Sequence, residues 1–189
     1  MPRVLHRSLA FFLVVASSVI FAETDPQHSF GLGRSVSADE ISAWDIDVRP
    51  DGQGLPTGAG SVQQGAEIYA QKCAFCHGVS GTEGPFDVLV GRLPDDVFPF
   101  AREPGTVKTI GNYWPYATTV FDYINRAMPF NAPGSLHSDE VYALVAYLLH
   151  LNEIVAADTV LSADNLAAIS MPARHRFVRD TRRGGPEVQ

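Results

Sequence analysis

Apolar side chains recur at helical spacing in two segments of the second half of the chain. The first segment lies between Pro115 and Pro129, so we predict a helix over 116–128. The second begins at Ser138, the expected N-cap, and predicts a helix to about Asn152. The apolar positions that carry the two patterns are Ala117, Val120, Phe121, Ile124, Met128, Val141, Leu144, Val145 and Leu148.

A third helix is predicted from Ser61-Val62-Gln63-Gln64, which has the spacing of a capping box. Apolar residues at 62, 66, 69 and 73 then fall on one face, and we expect this face to pack against the C-terminal helix. Gly65 interrupts the pattern at a cost of about 1 kcal/mol relative to Ala. Such a glycine suggests that another backbone crosses close to it.

The remaining segments have weak periodicity. Frequent Gly and Pro between Gly78 and Gly105 predict a long loop, and an ordered loop of that length usually surrounds a functional site. Residues 23–60 hold too few apolar side chains for a core of their own, although a short helix from Ser37 to Trp44 is expected. This stretch is interpreted as an arm laid over a surface of this domain or of another subunit. Its expected anchors are Phe30, Leu32 and Trp44.

No segment alternates apolar and polar residues clearly enough to predict a strand. The expected fold class is therefore all-α, with one small helical domain over 61–152 and irregular extensions at both ends. The N-terminal arm covers 23–60, and the C-terminal extension covers 153–189 and ends in a basic tail.

The first 22 residues have the pattern of a secretory signal peptide. Arg3 and Arg7 precede an apolar run over 9–22 that ends in small residues, with cleavage expected after Ala22. Because the run is short for a membrane span and no second run follows, we expect a soluble exported protein without a membrane anchor after cleavage.

Charge is distributed unevenly along the chain. Residues 23–171 carry 7 Lys and Arg against 19 Asp and Glu, a net charge of −12, whereas residues 172–189 carry +3. An acidic body disfavours nucleic-acid binding. The basic tail is expected either to dock on an acidic partner or to be a solvated, disordered end.

The most specific chemical motif is Cys73-Ala74-Phe75-Cys76-His77, the C-x-x-C-H signature of covalent c-type haem attachment. Two thiols separated by two residues on one helical turn can form thioethers with the two vinyl groups of one porphyrin. His77, the next residue, is then placed to be the proximal iron ligand. The motif predicts one covalent haem c, with the long loop that follows wrapped around the haem edge.

Other interpretations of the cysteine pair fit less well. A structural zinc site needs about four Cys or His ligands, and the sequence has no second cysteine pair. A thioredoxin-like pair needs a βαβ context and a lowered thiol pKa, for which the sequence gives no sign. A plain disulfide does not require the adjacent His77.

The second axial ligand of the iron decides between electron transfer and small-molecule chemistry. Met128 is the preferred candidate because it ends a predicted helix and is followed by a proline-flanked loop over 129–134. The alternative ligands are Met171 and one of the histidines His137, His150 and His175. In those cases Met128 would only fill space in the hydrophobic core. A backbone carbonyl near Gly84-Pro85 is expected to accept the ring N–H of His77.

With these residues placed, the segment 61–152 resembles class I cytochromes c. More of the chain is similar to the cytochrome subunit of periplasmic sulfite and sulfane dehydrogenases of bacterial sulfur oxidation. The motifs that carry this resemblance are Phe30-Gly31-Leu32-Gly33-Arg34, Trp44-Asp45-Ile46-Asp47-Val48-Arg49-Pro50-Asp51-Gly52, Tyr123-Ile124-Asn125-Arg126-Ala127-Met128-Pro129-Phe130 and Met171-Pro172.

The resemblance implies His77 and Met128 as iron ligands, a molybdenum-containing subunit as electron donor and a periplasmic location. The expected function is electron transfer to a downstream cytochrome, without turnover chemistry of the chain's own. Some members of that family carry a second haem domain, whereas this chain has a single C-x-x-C-H motif. The alternatives are a different donor such as a quinoprotein, a haem module with an open sixth site, or a structural subunit that holds a complex together.

Overall fold

The computed structural model describes residues 32–100 and 102–178, so the predicted signal segment 1–22, Phe30 and the end of the basic tail lie outside the described residues. The chain divides into two compact units, Met1–Ser37 and Ala38–Gln189, and every element below belongs to the second. Its longer elements are helices, which confirms the all-α prediction. In chain order the helices and strands are α1 (Ala38–Ser42), β1 (Ala59–Ser61), α2 (Val62–Lys72), α3 (Ala74–His77), α4 (Ala117–Ala127), α5 (Ser138–Leu151) and β2 (Val160–Ser162), followed by 3₁₀ helices at Leu166–Ala168 and Pro172–Arg176.

The crossing of α2 and α5 is the centre of the fold. The predicted capping box is present, because Ser61 Oγ accepts from Gln64 N and Gln64 Oε1 accepts from Ser61 N. An ideal Cβ on Gly65 would lie 2.0 Å from the Ala143 carbonyl oxygen, which confirms the close backbone crossing predicted from this glycine. An ion pair of 2.7 Å between Lys72 and Glu140 joins the end of α2 to the start of α5.

Helix α5 contributes more residues to the hydrophobic core than any other element. Nearly every residue from Val141 to Leu149 is buried, and Tyr142 packs against Phe121 of α4 with ring centroids 4.6 Å apart. The N-cap of α5 is His137, not Ser138 as predicted. The backbone N–H of His137 donates to Glu140 Oε2 at 2.9 Å, so the Glu three residues on satisfies the start of the helix.

A two-stranded antiparallel sheet, absent from the prediction, ties the two ends of the domain together. Gly60 in β1 is opposite Leu161 in β2. Strands of three residues are too short to produce an alternating pattern, and their pairing depends on residues about a hundred positions apart. The C-terminal extension continues into the same core, where Leu161, Leu166 and Met171 are buried.

The two extensions differ from their predicted roles in particular residues. Trp44 is 88 % exposed and does not anchor the arm on this domain, whereas Val48 is buried in the core. The start of the basic tail is not a solvated end, because the Arg174 guanidinium lies 4.5 Å from the ring centroid of Tyr116. Arg176 stacks in the same way over Phe100.

Within 32–100 and 102–178, none of the helices reaches the length and hydropathy of a membrane span.

Candidate haem site

The cysteine motif occupies one turn of helix at a break in the chain direction. Helix α2 ends at Lys72, and Cys73 leaves helical geometry before α3 begins. The Cys73 carbonyl accepts from Cys76 N at 3.1 Å and from His77 N at 3.0 Å. Both thiols are free. The two sulfurs and the imidazole therefore project from a single turn, as covalent attachment to one porphyrin edge requires.

The imidazole of His77 is oriented by a backbone carbonyl. Its Nδ1 lies 2.8 Å from the carbonyl oxygen of Asp87. A carbonyl can only accept, so Nδ1 carries the proton and the lone pair is on Nε2, the atom that would bind iron. The sequence predicted this contact near Gly84-Pro85, and the structure moves it to Asp87, because the chain after Pro85 turns back over the histidine.

The loop from Gly78 reaches His77 because Gly84 lies against the backbone of the cysteine motif. An ideal Cβ on Gly84 would come within 2.1 Å of the Cys76 carbonyl oxygen, so a larger residue does not fit. The same carbonyl accepts from Phe86 N at 3.2 Å. The loop is thus fixed to the turn that carries the haem motif at Phe86, the residue directly before Asp87.

Glu83 holds the first part of this loop. Its carboxylate accepts from the backbone N–H groups of Ser80 at 3.0 Å and Thr82 at 3.1 Å, and from both hydroxyls. The Ser80 hydroxyl and N–H, and then those of Thr82, lower the pKa of Glu83 to about 2 although the side chain is exposed.

Tyr69 connects helix α2 to the other end of the motif. Its buried hydroxyl donates to the Gly78 carbonyl at 2.9 Å, and its ring packs against Tyr147 of α5 with centroids 5.4 Å apart. Burial, and then the neighbouring Cys73, raise the pKa of Tyr69. The hydroxyl therefore stays protonated and keeps its role as donor.

Asn152, at the end of α5, fixes the second half of the loop, a role that sequence reasoning did not predict. The residue is 1 % exposed. Its Oδ1 accepts from Gly91 N at 3.0 Å and Gly111 N at 3.1 Å, and its Nδ2 donates to the carbonyls of Leu89 and Leu148. A polar residue directly after an apolar helical run is the only available signal, and such a residue usually just caps a helix.

The environment of the thiols argues against a redox-active pair. Burial raises the pKa of Cys73 to about 11, with Lys72 opposing the shift and Cys76 adding to it. A thioredoxin-like cysteine needs the opposite shift. Among the described residues, no cluster of three or more Cys, His, Asp or Glu side chains could hold a metal ion such as zinc.

Met128 lies directly after α4, and its N–H donates to the Ile124 carbonyl at 3.0 Å. The Met128–Pro129 peptide bond is cis. Met128 and Cys73 are both partly buried and pack against the same core cluster, which also contacts Leu89 and Trp114. The fold thus brings the predicted sixth ligand and the cysteine motif to one core.

The alternative axial ligands have other surroundings. Met171 is 3 % exposed and is part of the hydrophobic core. His150 Nδ1 lies 3.2 Å from the Val155 carbonyl, and His175 pairs with Asp95 at 3.1 Å. His137 caps α5.

The residues present fit a covalently bound haem. Two unpaired thiols share a turn with an imidazole whose Nδ1 is held, and a partly buried methionine thioether packs on the same core. These are the donor types that hold haem iron in cytochromes c, in which two thiols attach the porphyrin edge.

The known proteins to which this chain is similar imply the same cofactor, haem c. Residues 60–148 match the family described as cytochrome c oxidase, cbb3-type, subunit III. The crystal structure of the sulfane dehydrogenase SoxCD from Paracoccus pantotrophus contains a similar chain with 42 % sequence identity and a TM-score of 0.71, over 81 % of this chain and 73 % of that one.

A thiosulfate dehydrogenase from Psychrobacter arcticus is 29 % identical over 119 residues, which is 59 % of this chain. The chain spans only 33 % of that relative's length. The similarity to the SoxCD chain is high enough in sequence identity and coverage to show the family of this chain. The chain belongs to the cytochrome c family, as a haem c-binding electron-transfer domain related to the sulfane dehydrogenase SoxCD.

Proposed function

We propose that this protein is a one-haem electron carrier in which Cys73 and Cys76 attach the porphyrin and His77 and Met128 are the axial iron ligands. The observation that carries the proposal is the 2.8 Å contact between His77 Nδ1 and the Asp87 carbonyl. This contact fixes the tautomer that leaves Nε2 as a ligand, and the histidine belongs to the turn that presents both thiols. Haem c, when bound, supplies reversible one-electron exchange at its iron.

The chain's own residues keep the site closed to other chemistry. The Asp87 carbonyl prevents rotation of the imidazole, and Met128 would occupy the remaining axial position. A thioether ligand favours reduced iron and raises the reduction potential, which suits an acceptor of electrons from a dehydrogenase. With both axial positions filled, no coordination site is left for a substrate.

We further propose a molybdenum-containing dehydrogenase subunit as the electron donor and a downstream cytochrome as the acceptor. The 42 % identity to a chain of the sulfane dehydrogenase SoxCD supports this assignment. In this proposal, the signal peptide over 1–22 directs the protein to the periplasm, and the cytochrome domain over 61–152 is flanked by its two extensions.

The second candidate is a protein that oxidises thiosulfate itself, because one relative is named thiosulfate dehydrogenase. The two candidates differ in a simple assay. A pure electron carrier, purified alone and oxidised, is not reduced by thiosulfate at catalytic rates, whereas addition of a sulfane dehydrogenase and its substrate reduces it. Rapid reduction by thiosulfate alone would favour the second candidate.

Spectra and carbon monoxide binding test the ligand assignment. The reduced protein should show c-type α-band absorption, and its haem should stay attached to the protein when it is extracted with acidified acetone. The reduced protein should also bind carbon monoxide slowly. Met128→Ala should keep the α-band and bind carbon monoxide rapidly, because the sixth position becomes accessible. Met171→Ala is the matched control, and a fast reaction in this variant, with Met128→Ala unchanged, would contradict the assignment.

The donor is tested by purification of the protein from its native host with its partners attached. Metal analysis of the complex should find molybdenum together with iron. A complex that contains iron and a quinone cofactor, without molybdenum, would replace the proposed donor by a quinoprotein.

A further inference from the structure

A buried carboxylate lies on α4, the helix that directly precedes Met128. Asp122 of α4 is only 7 % exposed. Its Oδ1 accepts from Val48 N at 2.9 Å and from Arg126 Nε at 2.9 Å, and its Oδ2 accepts from Arg126 Nη2. A buried carboxylate needs such partners, because desolvation of an unpaired charge is costly.

These contacts join α4 to a compact turn of the N-terminal arm, residues 47–54. Two hydrogen bonds close the turn. Arg49 N donates to the Gln53 carbonyl at 2.9 Å, and Arg49 Nη1 donates to Gln53 Oε1 at 2.7 Å. Val48 inserts into the hydrophobic core beside Asp122. The hydroxyl of Thr118, one helical turn earlier on α4, donates to the Pro50 carbonyl at 3.2 Å.

Arg126 carries the contact to the last turn of α4, two residues before Met128. The final residues of a helix lack part of their hydrogen bonding and fray easily. A planar guanidinium bound by both oxygens of a carboxylate has a fixed orientation as well as added energy. The last turn of α4 is therefore fastened to a buried group that is itself bound to the arm turn.

We propose that Asp122 is a positioning residue, which holds the last turn of α4 against the arm turn 47–54 and so keeps the Met128 thioether on the haem iron. The inference rests on ligation by Met128 under the proposed function. It gives the arm turn a role in the redox site, in addition to any contact with a partner protein.

Two substitutions at this position form a graded series. Asp122→Asn keeps an acceptor for Val48 N, but it places an amide donor opposite Arg126 and removes the charge. Asp122→Ala removes all three hydrogen bonds. We expect ferric Asp122→Asn to lose part of the far-red sulfur-to-iron absorption, with a lower reduction potential, and Asp122→Ala to lose more.

Carbon monoxide binding to the reduced protein gives the quantitative readout. In Asp122→Ala we expect its rate to rise about tenfold, the change that ~1.4 kcal/mol of lost ligand positioning would produce. Glu67→Gln, which neutralises an exposed carboxylate on α2, is the matched control and should behave as wild type.

The outcomes separate positioning from a purely structural role. Measurements are made below the unfolding temperature of each variant. If both Asp122 variants unfold earlier but keep the wild-type potential and carbon monoxide rate, Asp122 only stabilises the fold and the inference is wrong. If Asp122→Ala gives no holoprotein, Arg126→Gln decides, because that side chain is 49 % exposed and should show a smaller change in the same direction.

The wild-type protein distinguishes this inference from the proposed function. Rapid carbon monoxide binding by wild type would show that no thioether is held, which overturns both. If wild type and all Asp122 and Arg126 variants bind carbon monoxide slowly, the inference is wrong but the proposed function stands.

Discussion

Individual side chains decide the path of the loop between Gly78 and Gly111, which has no helix among its described residues. Glu83 accepts hydrogen bonds from backbone N–H groups at the start of the loop. Asn152 accepts hydrogen bonds from backbone N–H groups in two later segments of the loop. Each side chain replaces the hydrogen bonds that regular secondary structure would have made. The carbonyl of Asp87 can therefore be held over His77 by an irregular chain.

The carboxylate of Glu83 makes the start of this loop sensitive to acid. Its pKa is about 2 in the folded protein, against about 4.3 in an unfolded chain, so it stabilises the loop at neutral pH. That contribution is lost as the pH falls from about 5 towards 2, because the protonated group is a poorer acceptor. We expect exchange protection of the Ser80 and Thr82 amides, corrected for intrinsic rates, to fall across this window.

Glu83→Gln should show low protection of these amides already at pH 7 and little change on acidification. Glu67→Gln is the control, because Glu67 is exposed on α2. Protection that is independent of pH in wild type would show that the carboxylate does not hold the loop.

At the scale of elements, the fold depends on the close approach of α2 and α5. Gly60 and Gly65 both face Ala143, and ideal Cβ atoms on them would lie 2.3 Å from its N and 2.0 Å from its O. The first turn of α2 therefore rests on the backbone of α5. Since the haem motif follows directly after α2, this crossing also fixes the position of the motif relative to α5.

Gly65→Ala tests the crossing. In an ordinary helix this change stabilises by about 1 kcal/mol, but here the methyl group would overlap the Ala143 carbonyl, and forcing helices apart in a packed core costs roughly 1–3 kcal/mol or more. Because the overlap is severe, we expect the cost to lie at the upper end of this range, with a net loss of about 1–2 kcal/mol in the free energy of unfolding, measured by urea denaturation of the holoprotein. Gln63→Ala, at an exposed position of α2, should change it by less than about 0.5 kcal/mol. A stabilised Gly65→Ala protein would contradict the crossing.

At the scale of the whole molecule, the C-terminal extension completes the core of the domain. Strand β2 pairs with β1, directly before α2, and the chain then buries Leu161, Leu166 and Met171. The arm contributes Val48 to the same core. The segment that carries the haem motif is thus supported by described residues on both sides of it in the sequence.

A truncation after Asn152 should prevent stable folding. It removes three large buried side chains, each of which contributes about 1.5–3 kcal/mol, from a domain whose total stability is of the order of 5–15 kcal/mol. We expect the shortened protein to lose cooperative thermal unfolding and most of its holoprotein yield. A truncation after Val178, which keeps every described residue of the extension, should unfold like the full chain. Equal stability of the two would show that the core does not need the C-terminal extension.

The sequence by itself determined the cofactor and the main helices. The thiol spacing in Cys73-Ala74-Phe75-Cys76-His77, the capping box at Ser61 and the glycine at the helix crossing are local features, and local spacing is visible in a sequence. It located the carbonyl partner of His77 only approximately, because the turn of the chain after Pro85 follows from the packing of Gly84 against the motif.

Only the tertiary structure decided the distant pairings. Asn152 binds Gly91 across 61 positions, Asp122 binds Val48 across 74, and β1 pairs with β2 across about a hundred. No pattern along the chain marks these partners, because the fold selects them by bringing buried polar groups together and burial makes each hydrogen bond obligatory.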